Sequence, residues 1–275
     1  MIRKRGKRGQ TTIFIIIGIL IVVGVALFFV LSGDEEPEQG YSDISKVSPS
    51  TFFKDCLKNN VKTTIRKLNY QGGYLENPLN ISFKFPNESS YDVSYLCYTS
   101  STYKTCNVME PLLINHLQEE IKKEFESHSL VRKCWDSLEE NYEAADYDFD
   151  GSYEGYEVQL KRDNLIIELK EVDLTASRVN ETIDINEIKP EFSTKLYNNA
   201  RVAIDIISQQ AEYGSFNEES YMALYPETDI TWDFPGKESN KSYITKDTKI
   251  YTIENEQTKE KFRFAVRSLV PLEEI

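Results

Sequence analysis

The sequence predicts an α+β fold: an N-terminal transmembrane helix followed by an extracytoplasmic domain of helices and antiparallel hairpins, stapled by disulfides. Three observations predict it. Residues 13–31 form an uncharged apolar run, flanked by basic residues before and acidic residues after. Beyond that run, stretches of helical period alternate with stretches of period two, without the regular strand–helix–strand rhythm of a parallel sheet. All four cysteines, Cys56, Cys97, Cys106 and Cys134, lie in this second part.

The apolar run reads IFIIIGILIVVGVALFFVL. As a helix it is roughly 28 Å long, close to the hydrocarbon core of about 30 Å. No face of it is polar, which argues against a buried helix of a water-soluble domain. Arg3, Lys4, Arg5, Lys7 and Arg8 precede it, and Asp34, Glu35, Glu36 and Glu38 follow. The positive-inside bias therefore places the N-terminus in the cytoplasm and the rest outside, as a single-pass protein of the cell membrane. A cleaved secretory signal needs a shorter apolar core and a better cleavage site than Leu31-Ser32-Gly33-Asp34. The expected organisation is a basic cytoplasmic stub at 1–9, the membrane helix at 10–32, an acidic linker at 33–48 and the outer domain at 49–275. Residues 49–145 and 146–275 are candidate lobes of that domain.

The chain carries a net charge of −13. Without the five N-terminal cations, 27 Lys and Arg face 45 Asp and Glu, a charge of −18. Such a surface keeps a domain soluble and repels nucleic acid and anionic lipid headgroups. An even number of outer-face cysteines predicts disulfides. Cys97 and Cys106 flank a short polar segment that reads as a hairpin. Cys56 and Cys134 each fall on the apolar face of an expected helix. The favoured pairing is Cys97–Cys106 and Cys56–Cys134. A thiol nucleophile is the weaker reading, because no basic or histidine-rich setting surrounds any of the four. Asn80, Asn87, Asn180 and Asn240 stand in glycosylation sequons.

In chain order, Ser48-Pro49 marks a helix start, with Phe53, Cys56, Leu57, Val61, Thr64, Ile65 and Leu68 at helical spacing. Gly72-Gly73 ends that helix. Leu79, Ile81, Phe83 and Phe85 alternate, as do Tyr91, Val93, Tyr95 and Cys97. A second helix near Pro111 carries Leu113, Leu117, Ile121 and Phe125. A third stretch carries Leu130, Val131, Cys134, Trp135, Leu138 and Tyr142. The period then changes to two: Tyr156, Val158 and Leu160, a turn at Arg162-Asp163-Asn164, then Leu165, Ile167 and Leu169. Further strands are expected at 174–179 and 182–185. A long helix follows from about Glu191 to Tyr213, with Phe192, Leu196, Ala200, Ile204, Ile207 and Ala211 on one face and Gly214 as its stop. The tail is strand-like around Ile230, Trp232 and Phe234, from Ile250 to Ile253, and at Phe262, Phe264 and Val266.

The sharpest local motif is Asp146-Tyr-Asp148-Phe-Asp150-Gly151, with Glu157 six residues after the glycine. It fits the calcium-loop pattern, in which Asp146, Asp148 and Asp150 supply carboxylates, Ser152 a backbone carbonyl and Glu157 two closing oxygens. The competing reading is a solvated acidic turn, since Tyr153 replaces the usual aliphatic residue and the exit is strand-like. His116 and His128 are too far apart on one helix to share a metal and read as packing or surface residues. The sequence holds no G-x-S-x-G, H-E-x-x-H, phosphate-cradling loop or paired zinc cysteines. The 17 Tyr and 14 Phe suit strand faces. No catalytic residue is assigned, and calcium is the one cofactor considered.

The N-terminus resembles that of archaeal type IV pilin-like proteins, which carry a basic leader ending in Gly before a hydrophobic helix. Here the matching residues are Lys7-Arg8-Gly9 and then Gln10-Thr11-Thr12-Ile13-Phe14, with Phe14 at the place where many pilins carry Glu. The resemblance implies cleavage between Gly9 and Gln10 and packing of the helix into a filament. More widely, the chain resembles single-pass membrane proteins of small-genome archaea. The shared features are the Gly-Gln start, the cysteine-bearing helix ending in Gln71-Gly72-Gly73-Tyr74 and the tail Phe262-Arg-Phe264-Ala265-Val266-Arg267. That likeness implies no activity. The expected role is a membrane-anchored cell-envelope protein with an outer-face binding or structural domain, not an enzyme. Its partners would be the bilayer and other envelope subunits, with no nucleic acid. The alternatives are a pilin-like filament subunit and a calcium-dependent outer enzyme or binding module.

Overall fold

The computed structural model describes residues 44–77, 92–233 and 248–268, and the backbone of 82–84. The stub, the apolar run, the processing pair Gly9 and Gln10, most of the linker, and the sequons at Asn80, Asn87 and Asn240 lie outside the described residues, as do Leu79, Ile81, Phe85, Tyr91 and Phe234. Among the described residues no helix is long and apolar enough to cross a membrane.

The linker reading to residue 48 runs too far. A 3₁₀ turn at Ile44–Lys46 precedes the first helix, and Ile44 is buried against the helix that carries Cys134. Helix α1, Pro49–Tyr70, begins as expected: the Ser48 side chain accepts from the Thr51 N–H at 3.2 Å, and Pro49 occupies the first turn, where a missing N–H costs nothing. Phe52, Phe53, Leu57, Val61, Ile65 and Leu68 form its buried stripe. Cys56 is exposed, off that stripe, which corrects its expected place on the apolar face. The chain leaves α1 through Gly72 (φ +72°) and Gly73 (φ +87°). A Cβ on Gly72 would stand 3.0 Å from the Ser94 carbonyl oxygen, in a conformation that L-residues avoid. Gly72→Ala is therefore expected to cost about 1–3 kcal/mol, read as a lower urea midpoint. An unchanged midpoint would show that the turn tolerates a side chain.

The main sheet has the order β1 (Ser82–Lys84), β2 (Asp92–Tyr98), β12 (Lys261–Arg267), β11 (Thr248–Asn255), β10 (Thr228–Asp233), with β3 (Asn107–Val108) also paired to β2. Every pair but one is antiparallel. The exception is β2–β12, parallel, with Ala265 opposite Tyr95 and Val266 opposite Cys97. The hairpin reading did not foresee it, because hairpin logic applies to sequence neighbours. The expected alternation also breaks here. One extra residue, Leu96, shifts the register, so Tyr95 and Tyr98 share a face with ring centroids 5.3 Å apart. Cys97 turns to the helix side, its Sγ 3.8 Å from the Ile207 carbonyl oxygen.

Helices α2 (Leu113–Ser127) and α3 (Leu130–Ala144) bury the predicted stripes: Leu113, Leu117, Ile121 and Phe125 on one, Val131, Cys134, Trp135, Leu138 and Tyr142 on the other. Two three-stranded antiparallel sheets follow. One is β4 (Asp148–Ser152), β7 (Asp173–Arg178) and β8 (Glu181–Ile185). The other is β5 (Gly155–Lys161), β6 (Asn164–Lys170) and β9 (Glu191–Ser193). The long helix starts later than its periodicity suggested. Residues 191–193 pair with β6, and helix α4 spans Leu196–Tyr213. Its buried face is Leu196, Asn199, Ala200, Val202, Ala203, Ile206, Ile207 and Gln210; Ile204 and Ala211 are only half-buried. Gly214, at φ +72°, ends it. A short helix α5, Glu218–Leu224, was not foreseen. Asn217 caps it by accepting from the Ser220 N–H at 2.9 Å.

The result is an α+β fold with mainly antiparallel sheets. Helices α1 and α4 pack on the main sheet, α2 packs on β5 and against α1, α3 and α4, and Phe262, Phe264 and Tyr251 are fully buried. The two candidate lobes share that sheet, since β2 comes from one and β12 from the other; residues from Asp43 onward form one compact unit. Two disulfides staple it, Cys56–Cys134 and Cys97–Cys106, the pairing favoured above.

Candidate functional site

The acidic motif does not form a loop. Asp148–Ser152 is strand β4, paired residue by residue with β7, with Asp150 opposite Thr175 and Ser152 opposite Asp173. Asp148, Asp150 and Ser152 alternate with half-buried Phe149 and Gly151, so the carboxylates line the exposed side of the sheet. Asp146 precedes the strand at φ +60°. Glu157 lies on β5 in the other small sheet, 2.9 Å from Lys170, whose ammonium holds the Glu157 carboxyl below the usual range. Asp146, Asp148, Asp150, Ser152 and Glu157 thus do not converge on a calcium ion. Among the described residues no three His, Cys, Asp or Glu side chains are placed to hold a metal.

The other singled-out residues are also accounted for. His116 packs on the Tyr74 ring at 4.4 Å, near Glu110. Tyr74 donates to Glu110 at 2.6 Å; burial first, and then that carboxylate, push the phenol upward. His128 is exposed at the end of α2. Asn180 sits in the two-residue turn between β7 and β8, exposed and at φ +69°, a conformation asparagine accepts readily.

What the fold brings together is basic. In the β5–β6 hairpin Lys161 pairs with Asn164, so Arg162-Asp163 is a two-residue turn, with Asp163 at φ +67°. This turn meets the first turns of α4. Asp163 Oδ1 accepts from Lys195 Nζ at 2.7 Å and from Asn198 Nδ2 at 3.0 Å, and its backbone carbonyl accepts from the Thr194 N–H at 3.0 Å. From the opposite side, Glu260 accepts from the Lys195 N–H at 2.8 Å and from Thr194 Oγ1 at 2.6 Å. The Leu160 N–H donates to Gln118 of α2 at 2.8 Å. Asp163 thus joins the hairpin tip to the helix start, while Glu260 holds the helix start and Gln118 the hairpin.

The Lys195 ammonium holds the Asp163 carboxyl below the usual aspartate range. A depressed folded value means that the clamp stabilises above pH 4 or so and is lost as pH falls through the lowered value. At neutral pH it is intact.

Between these elements opens a cavity of about 560 Å³ lined by Leu160, Lys161, Arg162, Tyr197, Asn198 and Arg201. Three of the six are cations. Asp163 is taken by Lys195, and among the described residues no carboxylate lies within ion-pair distance of Lys161, Arg162 or Arg201. Asn198 Oδ1 is buried without a hydrogen-bond partner, while Nδ2 of the same amide is held by Asp163. Tyr197 and Arg201 stand one helical turn apart and face the same way. No histidine lines the cavity. Nothing here supplies a nucleophile–base pair; the arrangement suits holding an anion against an aromatic wall.

Sequence reading missed this site. Arg162-Asp163-Asn164 was legible as a turn, and residues 197–201 as helix. The one available signal was the Lys161-Arg162 doublet at a hairpin tip in an acid-rich chain. Comparison with protein-family models, with curated proteins and with solved structures finds no match to this chain.

Proposed function

We propose that this is a membrane-anchored cell-envelope protein whose outer domain is a binding module for an anionic ligand, held at the cavity between the β5–β6 turn and α4. Residues 13–31 would span the bilayer with the N-terminus inside. Two disulfides in one domain fit an oxidising outer face.

The observation that carries the reading is three exposed cations around one cavity that, among the described residues, no carboxylate approaches within ion-pair distance, although Asp163 and Glu157 act on Arg162 and Lys161 from further off, in a chain of net charge −13. At physiological salt the Debye length is about 8 Å, so the distant acids are screened and the near cations set the local field. Exposed ion pairs are each worth about 0.2–1 kcal/mol. Three give at most about 3 kcal/mol, a Kd on the order of 10 mM for a small inorganic anion. The test uses the full chain in detergent micelles titrated with pyrophosphate, followed by NMR shifts. Binding is expected to weaken with added salt and to fall at least tenfold in Arg162→Glu/Arg201→Glu. Equal binding by wild type and variant would sink the proposal.

A further inference from the structure

We propose that the face built from α5, the end of α4 and β10 docks a basic segment of a partner protein, one that carries apolar side chains between its Lys and Arg residues. The inference is independent of the anion-binding reading.

Helix α5 has no buried residue, although Tyr221, Met222 and Leu224 are three of its seven side chains. A surface helix of a globular domain ordinarily hides such groups. The Tyr221 hydroxyl donates to Asp205 of α4 at 2.9 Å, the Tyr251 hydroxyl of β11 donates to Glu218 at 3.3 Å, and Met222 Sδ accepts from the Ile230 N–H of β10 at 3.2 Å. These contacts join the elements into one surface. Seven large apolar or aromatic side chains are exposed among the described residues, and four of them, Tyr213, Leu224, Tyr225 and Trp232, fall on this stretch. Single exposed apolar groups are ordinary, but four of seven in one place form a patch. The Tyr225 ring lies 4.7 Å from that of Tyr221, which widens the aromatic surface. Tyr, Trp and Met are the side chains that protein interfaces favour.

The charge around the patch has one sign. Residues 212–233 hold six acids and no Lys or Arg. Among the described residues no cation lies within ion-pair distance of Glu212, Glu218, Glu219, Glu227 or Asp229. Two cations stand at the border: Glu218 acts on Lys249 from beyond that distance, and Arg201 lies near Tyr221. Lys249 shows how the face receives a cation, its half-buried ammonium resting 4.8 Å from the centre of the Trp232 ring. A partner's Lys or Arg finds the same combination at Tyr225 and the neighbouring carboxylates, while its apolar groups cover Leu224. The carboxylates steer a basic partner to the patch. A second copy of this chain would bring the same carboxylates to the same face and be repelled.

The experiment follows fluorescent peptides by anisotropy on the full chain in dodecyl maltoside, with empty micelles as the baseline. The probes are four repeats of Arg-Tyr-Ser, of Arg-Ser-Ser and of Glu-Tyr-Ser. The Arg-Tyr-Ser peptide is expected to bind at least about tenfold more tightly than either of the others. Leu224→Ser/Tyr225→Ser and, separately, Glu219→Lys/Glu227→Lys are each expected to remove that margin. Asp148→Lys/Asp150→Lys makes the same charge change on β4 and is expected to leave it intact. All these side chains are exposed, so unchanged urea midpoints are expected and show that the variants fold. Equal affinity for Arg-Tyr-Ser and Arg-Ser-Ser would reduce the surface to a diffuse negative charge and overturn the proposal, as would an equal loss in the β4 variant. Displacement of the peptide by an equal concentration of spermine would make the ligand a small polycation instead. A dimer of the chain that disappears in Leu224→Ser/Tyr225→Ser would make the occupant a second copy, and either result overturns a basic protein partner.

Discussion

Replacing Cys56 and Cys134 together by alanine is expected to lower the unfolding free energy by about 4 kcal/mol. The bond joins α1 to α3 across 78 residues of sequence. Loop-closure entropy alone gives about 4.5 kcal/mol for a loop of that length, against about 2.7 kcal/mol for the Cys97–Cys106 bond, whose ends are 9 apart. Most of the cost arises in the unfolded chain, since Phe53, Leu57, Val131 and Leu138 remain buried whether or not the sulfurs are joined. The measurement is urea unfolding followed by tryptophan emission. Trp135 is the natural reporter, being buried and adjacent to Cys134. A loss under about 1 kcal/mol would mean that the unfolded ensemble already keeps α1 beside α3.

The second large effect is expected at Glu260, just before β12. One carboxylate accepts from Thr194 Oγ1 at 2.6 Å, from the Lys195 N–H at 2.8 Å and from Asn69 Nδ2 at 3.1 Å. Asn199 Nδ2 also donates to the Glu260 backbone carbonyl at 3.2 Å. It thereby caps α4 from outside the helix, closing a start whose flanking Lys195 forms no side-chain cap. Asn69 and Thr194 are both buried, so their donors have little access to water. Glu260→Ala strands three donors at about 1–3 kcal/mol each before relaxation, and a net loss of about 3 kcal/mol is expected. Glu260→Gln keeps the shape and one acceptor oxygen and should lose about half as much. Urea midpoints of the two variants check the order. If alanine cost no more than glutamine, the helix start would be held by something other than this carboxylate.

Much of the fold was legible because its signals are local. The four-residue rhythm of Leu113, Leu117, Ile121 and Phe125 needs a helix, and that helix formed. The alternation on either side of Arg162-Asp163 needs a hairpin, and its register runs unbroken from Gly155 to Lys170. The failures share a cause. Phe192 fits the helical period of α4, yet residues 191–193 are claimed by β6, and the helix start is set by Glu260, 65 residues ahead of Lys195. The acidic motif is the clearest case. A calcium loop takes ligands from alternate positions, and a strand exposes alternate positions. Asp146, Asp148, Asp150 and Ser152 satisfy both patterns, and pairing with β7 decides between them. The cavity was illegible for the same reason: residues 160–162 and 197–201 become neighbours only once Asp163 grips Lys195 and Asn198.

The parallel pairing of β2 with β12 sets a timetable. Tyr98 and Arg267 meet across 169 residues of sequence, with Arg267 Nη1 donating to the Tyr98 hydroxyl at 3.2 Å. As the chain emerges, β2 appears early, but its neighbour in the sheet arrives only after everything between them has been made. Until then β2 presents an open edge, and the face of α1 that rests on β12 has nothing to rest on. Contacts of such long separation form slowly, because loop closure must come before any gain from pairing. The hairpins β5–β6 and β7–β8 can close in the meantime from neighbouring sequence alone. Synthesis that halts before Lys261 therefore yields folded hairpins on an unfinished sheet, a species with exposed backbone and apolar surface that quality control would recognise and clear.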